Sequence, residues 1–171
     1  PSGEQRLRLS ALNAPGLAHP AHERPLRRAG AEDLEALVAL QRAAYAANRE
    51  LLGVEPLPLQ ADYGALLGSH EVWLAEGPGG PKAALILDPT PGYLLVWSIA
   101  VAPASQRQGL GDRLLGAAEA RARQLDLRAL RLYTGEKLTR QVRWYHRHGY
   151  AIERVEELPD RRLVHMTKII R

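Results

Sequence analysis

The chain has 171 residues, 46% hydrophobic and 25% charged, a composition that suits one soluble domain with a sizeable core. No apolar run approaches the roughly 20 residues of a membrane span, the opening PSGEQRLRLS carries no signal-type apolar core, and the absence of cysteine excludes disulfides, thiolate metal sites and a cysteine nucleophile. The net charge of +4 comes mostly from arginines spread along the chain, with Lys82, Lys137 and Lys168 the only lysines, so nucleic-acid binding is not expected and a soluble cytoplasmic protein is.

Residues 1–24 have little periodicity and contain Pro15, Gly16 and Pro20, and they read as an N-terminal extension to a domain over residues 25–171. Pro25 to Arg28 is a candidate first strand. Glu32–Asn48 follows as a predicted helix. Leu34, Leu37, Val38, Gln41 and Tyr45 share one face, and Glu32, Asp33 and Glu35 favour the dipole in the first turn. Residues 53–58 (GVEPLP) break it, and a short helix is expected within Gln60–Leu67, ended by Gly68.

Glu71–Glu76 and Lys82–Asp88 read as strands joined by the glycine-proline linker 77–81. A second turn, Pro89 to Gly92, returns the chain into Tyr93–Val101, completing an antiparallel meander. Val96, Ile99 and Val101 suit a covered strand, and Pro103 stops it. Gln106-Arg107-Gln108-Gly109-Leu110-Gly111 then turns the chain into a helix over about 109–124. A helix start offers N–H groups without intrahelical partners and a partial positive charge, and glycines let an anion approach that backbone. This stretch reads as an anion cradle.

The next strand lies within Leu127–Thr134, with Leu130 and Leu132 on one side; reached through a helix, it should run parallel to the strand before it. Leu138–His146 is a short helix ended by Gly149, and Tyr150–Glu156 with Arg162–Ile170 makes a last hairpin.

Two separated pieces carry a resemblance. Val101-Ala102-Pro103 followed by Gln106-x-x-Gly109-x-Gly111 resembles the CoA pyrophosphate loop of the GNAT family of N-acetyltransferases. Trp144-Tyr145-His146-Arg147-His148-Gly149-Tyr150 resembles that family's aromatic-Tyr-x-x-x-Gly-aromatic segment. The resemblance implies an α/β (α+β) fold: a mixed, mostly antiparallel central sheet, helices on both faces, and a parallel strand pair parted at the CoA site. It implies an acetyl-CoA-dependent acetyltransferase acting on a primary amine of a small molecule or a peptide, as a monomer or homodimer. The alternative is a CoA-binding sensor or scaffold without transferase activity.

By resemblance, backbone groups of Ile99, Ala100 and Val101 would pair with the pantetheine arm. N–H groups from Gln108 to Asp112, through Gly109, Leu110 and Gly111, would receive the pyrophosphate, with Gln106 or Arg107 reaching a phosphate. Tyr145 would protonate or hydrogen-bond the departing sulfur, and Gln141 could supply an amide where the family often has an asparagine, here Leu138. The family often places a general base on the strand before the cradle, where this chain has Trp97 and Ser98. Candidate bases are Glu136, His146, His148, Glu71 or a held water. The resemblance also implies that the acceptor approaches over the first helix, the loop after it and the last hairpin, which here bring Tyr45, Asn48, Glu50, Glu55 and Tyr63. With no cysteine, direct attack in a ternary complex is expected rather than an acyl-enzyme.

Overall fold

The computed structural model describes residues 24–171, so the expected N-terminal extension lies outside the described residues except for Arg24. Seven strands form one sheet in the order β1-β2-β3-β4-β5-β7-β6. They are β1 (Arg27–Arg28), β2 (Glu71–Gly77), β3 (Gly80–Thr90), β4 (Tyr93–Val101), β5 (Ala129–Gly135), β6 (Ala151–Glu157) and β7 (Arg162–Ile169). Every pairing is antiparallel except β4 with β5, which is parallel because a helix carries the chain across between them. The helices are α1 (Leu34–Leu52), α2 (Tyr63–Ser69), α3 (Leu110–Gln124) and α4 (Thr139–Arg147). This is the mixed, mostly antiparallel sheet with a single parallel pair that the sequence implies.

Helices cover both faces. On one, Leu110, Leu114, Leu115, Ala118 and Ala122 of α3 pack on Leu85, Leu87, Leu94, Val96, Leu130 and Leu132, with Tyr145 of α4 against the same core. On the other, Leu37 and Leu40 of α1 and Tyr63 and Leu66 of α2 pack on Val72, Leu74, Ala84 and Ile86. Each fully buried leucine contributes about 2 kcal/mol by leaving water, so these two layers supply most of the drive to fold.

Some element ends differ from the sequence expectation. Helix α1 runs on to Leu52, because its stop is Gly53 itself, at φ 71° with its N–H donating to Arg49 O. Gly68 does not end α2; it lies inside the helix, which closes at Ser69 with His70 N–H donating to Leu66 O. Pro89 and Thr90 belong to β3 rather than to the turn, which narrows to Pro91–Gly92.

Two irregularities of β4 shape the space beside it. Ile86 pairs with Ser98 but Leu87 pairs with Val96, so Trp97 is an extra residue, a β-bulge. The bulge resets the alternation. Val96, Ile99 and Val101 all pack toward the α3 core, although odd spacing alone would put Val96 on the opposite face. Ser98 is turned toward α1 instead. Second, β4 and β5 pair only at Leu94–Leu130 and Leu95–Arg131. Beyond Leu95 the strands part, while β5 stays paired with β7 as far as Gly135.

Candidate active site

The gap between the parted strands opens into a cleft of about 860 Å³. Its walls come from α1, β4, the start of α3, the end of β5 and α4. The cleft brings together Ile99, Val101, Gln106, Arg107, Gly109, Leu110, Gly111, Asp112, Gln141 and Tyr145 of the residues expected from sequence.

The edge of β4 is open where it faces the gap. Ala102 N–H donates to Lys82 O on β3. Alternation along the strand then directs the backbone of Ala100 to β3 and that of Ile99 and Val101 into the gap. Side chains touch both exposed carbonyls: Tyr45 O–H lies 3.2 Å from Ile99 O, and Gln106 Nε2–H donates to Val101 O at 3.2 Å.

At the head of α3 the chain folds into a donor cradle. Arg107 and Gly109 both take left-handed backbone, at φ 60° and 76°. The first helical bond runs from Arg113 N–H to Gly109 O at 3.0 Å. The N–H groups from Gln108 to Asp112 have no acceptor in the described residues. Left-handed residues interleaved in such a turn aim successive N–H groups at one concavity, an arrangement suited to phosphate oxygens. Gly109 and Gly111 are required for different reasons. Gly109 supplies the positive φ in open space, whereas a Cβ at Gly111 would meet the ring of Trp144 at 3.0 Å.

Helix α4 is locked to this head. Trp144 Nε1–H donates to Asp112 Oδ1 at 3.0 Å, and His148 Nε2 lies 3.1 Å from the same oxygen. Asp112 is the only carboxylate lining the cleft among the described residues, against Arg107, Lys137, Arg140, Arg147 and Arg161. The cleft is therefore basic, and its acid is already engaged by α4. Unpartnered N–H groups, an open strand edge and basic walls fit a molecule with a pyrophosphate and an amide-bearing arm.

Tyr145 sits on α4 between Trp144 and Tyr150, its ring 5.8 Å from that of Tyr150 and edge-on to it. Burial, with smaller contributions from Tyr45 and Tyr150, holds its pKa well above the ordinary 10.0. Its hydroxyl has no hydrogen-bond partner among the described residues, so the O–H is unspent. Tyr150 is 1% exposed and belongs to the core.

The other polar group of the cleft could not be assembled from sequence. Gln41 of α1 is 0% exposed and Ser98 of the bulge 4%. Their side chains meet at 3.3 Å, and Tyr45 O–H stands 2.8 Å from Ser98 Oγ. Gln41 on the apolar face of an otherwise amphipathic helix is the one signal the sequence holds for it. The network occupies the place on β4 where the family often has a carboxylate base.

The candidate bases do not converge on the cleft. Glu71 is bound to Arg121 and Trp73 at the far end of α3. Glu136 faces Arg162 in a neighbouring cavity, His148 is held by Asp112, and His146 lies outside the cleft. Of the acceptor-side residues, Tyr45 and Asn48 line the cleft. Glu50 does not, Glu55 pairs with Arg49, and Tyr63 is buried with its O–H on Pro58 O. Among the described residues, no group of three or more His, Asp or Glu could hold a metal ion, and no helix is long and apolar enough to cross a membrane.

Strands that part around a cleft, with an N–H cradle at the head of the next helix, make a mixed α/β fold with a site shaped for a phosphate-bearing ligand. The model of the acetyltransferase (GNAT) family matches residues 34–150, and the chain belongs to that family. Solved structures repeat the fold. The PaiA N-acetyltransferase of Thermoplasma acidophilum, in complex with coenzyme A, is 15% identical with a TM-score of 0.70, over 84% of this chain and 97% of that one. An IAA acetyltransferase of Bacillus cereus is 19% identical with a TM-score of 0.65, over 85% and 98%. A GNAT family acetyltransferase of Elizabethkingia anophelis with acetyl-CoA bound is 23% identical with a TM-score of 0.56, over 68% and 92%. No curated protein sequence matches the chain.

Proposed function

We propose that the domain over residues 25–171 transfers an acetyl group from acetyl-CoA to a primary amine by direct attack in a ternary complex. The observation that carries this reading is the juxtaposition of the N–H cradle at Gln108–Asp112 with the unspent hydroxyl of Tyr145 across the parted strands. Acetyl-CoA supplies the activated acyl group when bound. The N–H groups from Gln108 to Asp112, with Arg107, would hold its pyrophosphate. The open backbone edge at Ile99 and Val101 would hold its arm, and Gln141 faces the same space.

Tyr145 keeps its proton at Oη throughout the working pH range and has it free to donate to a departing thiolate. A thiol pKa of about 8.5 makes that donation helpful rather than obligatory. Tyr45 and Ser98 present hydroxyls at the bulge but no negative charge. The acceptor must therefore enter as the neutral amine or pass its proton to water. Positioning carries most of the acceleration, as it can when two reactants are held in register.

The test is thiol release from acetyl-CoA across a panel of amines, together with calorimetry of CoA. Turnover with CoA binding supports the transferase. The absence of a cleft carboxylate beside the bulge among the described residues favours one alternative, a CoA-binding module; CoA binding without turnover on any amine would establish that alternative instead.

A further inference from the structure

The acceptor end of the cleft can be located. Trp144 touches the head of α3, so the C-terminal half of α4 marks the cofactor end. The N-terminal side of α4 marks the other: a Cβ at Gly135 would meet Leu52 Cδ2 at 2.6 Å, so the end of α1 packs directly on the end of β5. Glu136 N–H donates to Arg162 O at 2.9 Å, which ties the β6–β7 turn to the same corner. Here a second cavity of about 260 Å³ adjoins the cleft, and Leu52, Lys137 and Arg161 line both.

Arg161 is the unusual residue of this corner. Its side chain is only 6% exposed, yet its one charged partner among the described residues, Asp160, is 53% exposed. Asp160 takes Nε–H and one Nη2–H, both at 3.0 Å. A guanidinium carries five N–H donors. Asp160 thus occupies the side-on edge, and the end-on fork formed by Nη1 and the remaining Nη2–H has no acceptor among the described residues. A side chain this buried can direct that fork only into the cavities it lines. Three carboxylates stand nearby, Glu136, Glu157 and Asp160, but all line the smaller cavity alone. Glu136 and Glu157 both face Arg162. Toward the main cleft the charges at this end are all basic, Lys137 and Arg161 with Arg140 from the first turn of α4, beside the apolar Leu52, Pro56, Leu57 and Leu163.

We propose that the acceptor is an amine that also bears a carboxylate, an amino acid, and that the end-on fork of Arg161 receives that carboxylate. This rests on the acetyltransferase reading and narrows its acceptor class. The planar fork matches a carboxylate through two parallel N–H···O bonds, which a lysine cannot reproduce. The carboxylate is anchored at the β6–β7 turn, and the amine is left to point along the cleft toward Tyr45 and Tyr145. Lys137 at the rim adds attraction without geometric selection.

The experiment compares amino acids with their decarboxylated amines and their amides as acceptors, for wild type, Arg161→Gln and Arg161→Lys. Amino acids should be preferred by at least about tenfold in kcat/KM, the worth of one charge-assisted fork. Both variants should lose about 10- to 100-fold in kcat/KM for amino acids, chiefly through KM, with kcat for the decarboxylated amines changing by less than about threefold. CoA affinity by calorimetry should be the same in all three proteins, which shows the fold and the cradle intact. Equal use of amino acids and decarboxylated amines, or an equal loss on both in the variants, overturns the assignment and leaves the transferase standing. If CoA binds but no amine turns over, the transferase reading fails. The same panel is then read by thermal protection of the CoA-loaded protein. Protection by amino acids that Arg161→Gln abolishes supports the carboxylate site, and its absence overturns it.

Discussion

Gly111 and the indole of Trp144 share one contact: a Cβ on Gly111 would lie 3.0 Å from Trp144 Cζ2, while Trp144 Nε1–H holds the carboxylate of the next residue, Asp112. The second glycine of the cradle therefore seats α4, and through it Tyr145, against the head of α3. The N–H cradle and the Tyr145 hydroxyl are thus placed relative to each other through this contact.

Gly111→Ala should push Trp144 off Asp112 and move α4. We expect a loss of CoA affinity of about tenfold together with a larger fall in thiol release, because both sides of the cleft shift. Gly109→Ala has open space but φ 76°, so it should cost about 1 kcal/mol of stability through backbone strain. Calorimetry with CoA and thermal melts separate the two. Identical effects from both substitutions would remove the distinction.

Tyr145→Phe should lower kcat by about 100-fold, the lower end of what a positioned acid contributes, with CoA affinity changing far less. Burial raises the pKa of Tyr145 above 10.0. The proton-bearing form then persists as pH rises, and the wild-type rate should show no falling alkaline limb below that value. A pH–rate profile that falls between about pH 8 and 10 in wild type but not in Tyr145→Phe would contradict this.

Ser98 and Tyr45 offer no negative charge at the bulge, and Asp112 is engaged elsewhere. The rising limb of kcat/KM should therefore follow the acceptor's own amine pKa, moving when acceptors of different basicity are compared. Rate profiles on two such acceptors check this. A fixed inflection common to both would mean that an enzyme group takes the proton.

Glu71 is tied by Arg121 at 2.9 Å through two bonds, and Trp73 Nε1–H donates to it at 3.2 Å. Burial opposes its charge, but these bonds outweigh it and hold the carboxyl below its ordinary 4.5. A depressed folded pKa means that the stabilisation is full above the unfolded pKa and fades as pH falls through the folded one. Glu71→Gln should cost about 2 kcal/mol at about pH 7, between an exposed and a fully buried pair, with the gap to wild type closing below about pH 4. Urea unfolding under both conditions measures the change, and a pH-independent difference would contradict the linkage.

Much of the architecture is legible in local patterns. The continuous apolar runs of β2 and β3, the glycine-proline turns and the leucine stripe of α3 depend on neighbours close in the chain, and apart from the shifted ends of α1, α2 and β3 each element forms where that pattern places it. The cradle is legible for the same reason: Arg107, Gly109 and the first turn of α3 are consecutive, and their chemistry is that of a helix start. Tyr145 could be singled out because its segment is also local.

Contacts between distant segments decide the rest. Trp97 is a bulge only because Ile86 and Leu87 of β3 set the register of β4, and that shift turns Ser98 toward Gln41 and Tyr45. The candidate bases Glu71, Glu136 and His148 look alike in sequence, but each is consumed by a partner that folding brings to it. Arg161 is one of many arginines by composition. Only the closing of the β6–β7 turn against the ends of β5 and α1 buries its stem and leaves its fork unpaired. Short-range pattern determined the sheet, the helices and the anion cradle, because backbone geometry and burial periodicity are local properties. Tertiary structure alone decided which charges remain free in the cleft, because pairing depends on what arrives from elsewhere in the chain.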